Sequence, residues 1–520
     1  MARQPVAVSA IFGWGATALT VALTLGTAVP LLAVAEGPGG LFGADWPVIR
    51  FTILQATLSA LITVSVAIPL ARALARRRFP GRDAVILALG APFIVPTIVA
   101  VFGILAVWGR SGLFSDLLSA AGFARLDVYG LTGILLAHVF LNLPLVTRLL
   151  LQGWAAIPAE HHRLAFSLGF SARDRFAHIE WPMLREVVPG AALLTFLICL
   201  TSFAVALILG GGPRATTLEL ALYQALRFEF DLPGAAWLAL VQAAIGLTGA
   251  FALLALGKGG LFSPGAARRI AIPAPRGGRM LDATAIVAAL LFLALPLASV
   301  FLDGLAHVAT LPRGVWEAAA RSLAVAVPAA ILSLLLALPI AWSVTTPGNR
   351  IGRLVAEGLV LTALTASSLV IGTGLFIVLR SVTDPFAMAL PVTAVVNAAL
   401  GVPFALRILV PAIGALRRGT ERQARALGLP RRIWLSRVLL PGIRPALGFA
   451  LGLVAAFSVG DLGIIALFGT TETATLPLEM QRLLGDYRID DAAGAALLLL
   501  ALSFTLFAVF DLWGRHDPLR

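Results

Sequence analysis

Charge is scarce in this sequence. Asp, Glu, Lys and Arg make up 12% of 520 residues, against 59% hydrophobic residues, and the mean hydropathy is +0.95. A soluble chain of this length would divide into about three domains. That organisation is excluded here, because uncharged apolar runs recur from end to end. A run of ~18 or more such residues spans a bilayer as a helix. Cysteine is nearly absent: the single Cys199 lies inside an apolar run, which excludes a disulfide framework and cysteine metal-ligand spacing. Histidines are few and not clustered, with His161, His162 and His178 in one polar stretch, so no metal site is expected. No G-x-x-x-x-G-K-[ST] phosphate loop is present; Gly257-Lys258 is followed by Gly259, which has no hydroxyl to hold magnesium. Nor is there a His/Glu/Cys constellation able to do chemistry, so neither an enzyme nor a resident cofactor is expected.

What the chain has in abundance is apolar runs. Reading them between charged or Pro/Gly-rich breaks gives twelve spans, near residues 9–33, 51–71, 84–108, 128–151, 186–209 and 235–257, then 281–302, 321–344, 354–379, 388–411, 445–468 and 492–513. The first run is longer than the usual ~7–15 apolar residues of a signal peptide and is expected to stay as a transmembrane helix. Several spans contain proline (Pro69, Pro92, Pro96, Pro144, Pro339, Pro403), which membrane helices tolerate when neighbours satisfy the freed carbonyls. The fold class expected is therefore an all-α integral membrane protein.

The net charge of +13 and the isoelectric point near 11.4 would suggest nucleic acid in a soluble protein. The distribution argues otherwise. Lys and Arg collect on alternate loops, with five from Arg72 to Arg82 and nine from Arg407 to Arg444. Acidic residues (Glu36, Asp45, Glu219, Glu229, Asp231, Glu472, Glu479, Asp486) fall on the other set. Cations near span ends favour the cytoplasmic side. The expected topology has both termini cytoplasmic, the acidic loops outside, and no nucleic-acid partner.

The chain also repeats itself. At a shift of 259 residues, Pro144 meets Pro403, Arg148 meets Arg407, Ala165 meets Ala424, Gly169 meets Gly428, Pro182 meets Pro441 and Asp231 meets Asp490. Upstream, Pro69 meets Pro339 at a shift of 270. Each half then holds six spans, an even number, so the halves are expected to be parallel repeats: residues 1–257 and 280–520, joined by a basic Gly/Pro-rich cytoplasmic linker, 258–279. Two equivalent bundles about a central axis are a common way to build a transport path.

The repeat is sharpest in one basic loop. Arg163 to Gly190 carries Ala165, Gly169, Ile179, Trp181 and Pro182; the second copy carries Ala424, Gly428, Val438, Leu440 and Pro441 at the same spacing. Each copy reads as two short helices broken by glycine. In RRIWLSRVLL, arginines interleave with Trp434, Leu435, Val438 and Leu439, giving a helix with one face free to dock. An interfacial helix lying on anionic lipid is the competing reading, but it does not explain a fixed Gly-to-Pro interval in both copies.

Small residue, Gly, nine residues, I-x-LP resembles the cytoplasmic "EAA" loop of importer-type ABC transporter permeases. The resemblance implies a type I permease fold, a lipid-embedded chain, and two coupling loops that engage a homodimeric ATP-binding subunit. Coupling would fall on Ala165, Gly169, Ile179, Pro182, Ala424, Gly428, Trp434, Val438 and Pro441. One departure stands out: the acidic position six residues before the glycine holds Arg163 and Arg422 here, so a salt bridge from that position does not carry over.

The segments IEWPMLR (179–185), GGGPRATTLELALYQAL (210–226), SVGDLGIIALFG (458–469) and TLPLEMQRLLGDYRIDDAA (475–493) resemble the thiamine (thiamine pyrophosphate) branch of these fused permeases. Ferric-iron permeases are the alternative branch, and an ion-coupled secondary transporter is a more distant one. The thiamine resemblance implies import across the bacterial inner membrane of thiamine or its phosphates, delivered by a periplasmic binding protein. Each half has an outer segment of similar design, 209–231 and 468–490, with glycine at the membrane exit, a short amphipathic helix, and Thr217 as the expected cap of the first. Asp461 is a carboxylate within an apolar helix, able either to meet a cationic thiazolium or to bond structurally with Ser458 or a neighbouring helix. Ser202, Tyr223, Gln224 and Ser458 complete the expected path.

Overall fold

A backbone amide in lipid has no water to bond with, so an apolar run must satisfy itself as a helix. The computed structural model describes residues 5–35, 45–89, 94–210, 212, 215–256, 278–346, 358 and 367–515, and every regular element among them is helical. Eleven helices are long and apolar enough to cross a membrane. The chain is a multi-pass membrane protein.

Eleven of the twelve expected spans have their counterparts among these helices. The ninth, expected at 354–379, is represented by the shorter apolar helix Ser368–Arg380; nearly all of the residues before it, and most of the expected linker (257–277), lie outside the described set. Several helices overrun their apolar stretch. Ala389–Ala426 has 38 residues, a rise of about 57 Å, well beyond the ~30 Å hydrocarbon thickness. It therefore carries its basic end far out of the membrane.

Three spans expected as single helices are broken. The fifth is Trp181–Leu200 and then Phe203–Leu209, with Thr201 and Ser202 between. The eleventh is Leu440–Val459 and then Gly463–Phe468, with Gly460 to Leu462 between. The third is likewise divided, into Arg82–Ala88 and Thr97–Trp108.

Helix Asp45–Arg76 packs along Leu131–Ala156 and Trp181–Leu200, while Arg313–Val344 packs along Ala389–Ala426 and Leu440–Val459. The leading helix of each group crosses over. Pro5–Thr24 lies against Arg313–Val344, and Arg279–His307 lies against Thr97–Trp108 and Asp45–Arg76. Phe292 on the latter meets Trp108 at 5.4 Å and Phe140 at 5.9 Å between ring centroids. The same helix is tied at its first turn, where Arg76 and Arg77 each donate to Asp282 at 2.6 Å.

Small residues set the closest approach. Leu440–Val459 meets Ile489–Arg515 where Gly448 faces Gly514; a Cβ on Gly448 would stand 2.6 Å from the Gly514 Cα. In lipid, where helices gain nothing from excluding water, such close backbone contact is a principal source of association. Large apolar side chains such as Phe12, Leu61, Leu335 and Leu512 stay exposed on the outside, as a lipid-facing surface requires.

Candidate coupling loops and translocation path

The two basic loops have the same backbone. Helix Ala159–Ser167 ends at Gly169, φ +68°, and helix Ala389–Ala426 ends at Gly428, φ +66°. Left-handed backbone favours glycine because a Cβ would crowd the carbonyl. Past the glycine, the Phe170 amide donates to the Ala165 carbonyl at 2.9 Å, and the Leu429 amide to the Ala424 carbonyl at 2.9 Å. This is a helix-closing bond of the Schellman kind. Ala165 and Ala424 are buried, so both the alanine and the glycine of the motif shape the turn.

Next comes a four-residue helix, Ala172–Arg175 or Arg431–Trp434, each running into a single π-helical turn, Phe176–Glu180 or Leu435–Leu439. Ser171 and Asp174 cap the first through a reciprocal pair of bonds, with Asp174 N donating to Ser171 Oγ at 3.2 Å and Ser171 N to Asp174 Oδ2 at 3.0 Å. The π turn leads without a break into the membrane helix. The expectation of two short helices per loop is therefore corrected. After the glycine there is one continuous helix, and before the second glycine the helix is the end of a membrane span.

Pro182 and Pro441 are exposed, and Ile179 and Val438 are half-buried. Trp434 was expected on a docking face, but it is only 3% exposed. Its indole Nε1 donates to Thr420 Oγ1 at 3.1 Å, and its ring stands 6.2 Å from Trp342. The apolar side of that helix covers the protein's own neighbouring spans, so Trp434 fastens the loop and does not present it. The exposed apolar tips are Leu164, Phe166 and Leu168 in the first loop and Leu427, Leu429 and Ile433 in the second. The spacing argument passed over these residues.

The loops are fastened by different chemistry. Arg72 donates to Glu180 at 2.5 Å and lies 4.9 Å over the Phe176 ring. In the second half, the residue 270 positions after Arg72 is Trp342, which receives Arg417 over its ring at 4.4 Å. Arg417 also donates to the Trp342 carbonyl at 3.2 Å and to Glu421 at 3.1 Å.

Of the expected path residues, Ser202 sits in the break of the fifth span and Asp461 in that of the eleventh, both half-buried. The structure does not join Asp461 to Ser458 through side chains. Asn397 Nδ2 donates to Ser458 Oγ at 3.0 Å, while Asp461 Oδ1 accepts from the Gly463 amide at 3.4 Å. Tyr223 is buried against Phe203 at 5.1 Å and Phe228 at 5.6 Å, whereas Gln224 is exposed. Thr217 caps helix Leu218–Gln224, accepting from the Leu220 amide at 3.4 Å. Its neighbour Glu219, read from sequence as an outer acid, is 1% exposed and packed inside the protein.

Helices Leu218–Gln224 and Leu476–Gly485 both start on a hydroxyl from a membrane span. The Leu218 amide donates to Thr52 Oγ1 at 2.9 Å, and the Leu476 amide to Ser322 Oγ at 2.8 Å. Among the described residues no group of three or more metal-ligating side chains comes together.

Broken spans, polar side chains buried among them and apolar helices outside describe a multi-pass membrane protein with an interrupted interior. No family model matches the sequence. Among curated proteins, the chain is 40% identical over 526 residues to the thiamine transport system permease protein ThiP of Brucella abortus (strain 2308), covering 98% of this chain and 95% of the relative. To the thiamine transport system permease protein ThiP of Escherichia coli (strain K12) it is 38% identical over 537 residues, with 99% and 98% covered. A more distant likeness, 25% over 175 residues and 34% of this chain, is to the sulfate transport system permease protein CysW of Synechococcus elongatus. The chain belongs to the family of thiamine transport system permeases.

Proposed function

We propose that this chain is the membrane subunit of an ATP-driven importer that moves thiamine and its phosphates, delivered by a periplasmic binding protein, across the bacterial inner membrane. Residues 1–257 and 280–520 act as two six-span repeats joined by the linker 258–279, with both termini in the cytoplasm. Each repeat offers one loop to a homodimeric ATP-binding subunit. The observation that carries this reading is the pair of loops, which share a left-handed glycine, a closing bond to alanine and a π turn at a constant offset of 259 residues. Two copies of one surface suit a partner that itself comes in two copies.

Ala165, Gly169, Ala424 and Gly428 shape the loops, while Ile179, Pro182, Val438 and Pro441 lie on the stretch that enters the membrane. The path runs by Ser202, Tyr223, Ser458 and Asp461, with Gln224 toward its outer end. The test is uptake of labelled thiamine by cells carrying the chain with residues 424–441 deleted, alongside co-purification of the ATPase. Loss of both is expected. Undiminished uptake sinks the coupling reading.

A further inference from the structure

Glu219 occupies an unusual place. It sits on the short helix Leu218–Gln224, buried, and no cation pairs with it among the described residues. Gln242 Nε2, from helix Leu232–Leu256, donates to its Oε1 at 3.1 Å. Ser367, the residue that opens helix Ser368–Arg380 in the other half of the chain, turns its hydroxyl toward the same carboxyl. Among the described residues, Glu219 Oε2 has no hydrogen-bond partner within bonding distance, and neither does Gln242 Oε1.

A buried carboxylate left with an open oxygen costs several kcal/mol of solvation. The packing does not require the charge, because a glutamine of the same shape would keep both neighbours. The first turn of helix Ser368–Arg380 supplies part of the compensation through its dipole, and that turn also borders a second carboxylate. Ser368 lies against Gly463, two residues beyond Asp461, whose Oδ2 is likewise buried and without a partner. Asp461 itself is served by the Gly463 amide and by Asn397, so the carboxylate left beside Ser367 is that of Glu219. One turn along from Glu219, on the same face, Tyr223 packs at a tilt of 60° against Phe203. Carboxylate and aromatic faces together suit a flat organic cation, which gains both charge pairing and cation–π attraction.

We propose that Glu219, with Ser367 beside it and Tyr223 and Phe203 as aromatic walls, forms a recognition site for the positively charged aromatic ring of the transported substrate at the junction of the two halves. This rests on the importer reading above and adds a site and its selectivity. The thiazolium of thiamine has the charge and flatness this arrangement accepts.

The test uses the assembled transporter with its ATPase and binding protein in proteoliposomes. Glu219→Gln is expected to lower thiamine uptake by about tenfold or more, and Glu219→Asp to recover part of it. Wild-type complex is also treated with dicyclohexylcarbodiimide, which adds to buried carboxyls as an N-acylurea, and Glu219 modification is followed by mass spectrometry. Thiamine is expected to slow that modification several-fold, and choline, a cation with no aromatic ring, to slow it less. Uptake by Glu219→Gln at the wild-type rate overturns the proposal, as does labelling indifferent to thiamine. The labelling holds even if the glutamine variant does not assemble. A wild-type complex that moves no thiamine sinks the importer reading and this site with it.

Discussion

Arg72 and Glu180 meet at 2.5 Å across 108 positions of sequence, and the carboxylate side chain is 9% exposed against 25% for the guanidinium. One residue lies in the last turns of a membrane helix; the other closes the π turn of the first loop. The pair holds the loop at a set distance from the bundle.

Glu180→Gln leaves Arg72 without its counter-charge in a half-buried setting. Stability should fall by about 1–3 kcal/mol, read as a lower thermal midpoint of the purified complex. The double exchange Arg72→Glu with Glu180→Arg should restore part of it. A single variant as stable as wild type means the ion pair is only incidental.

Trp434 gives a sharper contrast. Trp434→Ala removes a buried ring and leaves Thr420 without its donor, for an expected loss of about 3–5 kcal/mol. Trp434→Phe keeps most of the volume and should cost about 1 kcal/mol. If instead both variants unfold like wild type but fail to bind the ATPase, then Trp434 is a contact residue after all.

The two loop glycines should respond alike. Nothing lies within 4 Å of a Cβ built on Gly169 or Gly428, so alanine meets backbone strain alone. Each Gly→Ala change should cost about 1–2 kcal/mol. Equal losses at the two positions in thermal unfolding are the expected outcome; a loss at only one would mean the loops do not share a role.

Gly448 tests the opposite situation. Its Cβ space is filled by the Gly514 backbone and the Phe510 carbonyl, so Gly448→Leu wedges two spans apart. A loss of about 1–3 kcal/mol or more is expected, with poor recovery of folded protein from membranes. Normal yield and thermal midpoint would mean the two helices are free to separate there.

Hydropathy alone located the spans, because length and apolarity are the property a bilayer selects. It could not find the breaks at Thr201–Ser202 and Gly460–Leu462, since a window averages over one or two unhelical residues. The Gly-to-Pro spacing marks two segments whose glycines, closing bonds and π turns are alike. Amphipathic periodicity then promised an apolar face around Trp434 without saying whether that face covers the chain's own helices or a partner; the structure places it inward. Glu219 shows a related limit. The sequence assigns it to a segment between spans, and only the return of its short helix into the bundle buries it.

The π turns at Phe176–Glu180 and Leu435–Leu439 carry a mechanical consequence. A helix that accommodates one surplus residue has its two ends out of phase by about 100°. Each loop is therefore joined to its span through a stored angular offset. When a pull on the loop tightens that turn toward ordinary α geometry, the span must roll about its own axis. Any such roll would be carried along the span toward its break at Ser202 or Asp461.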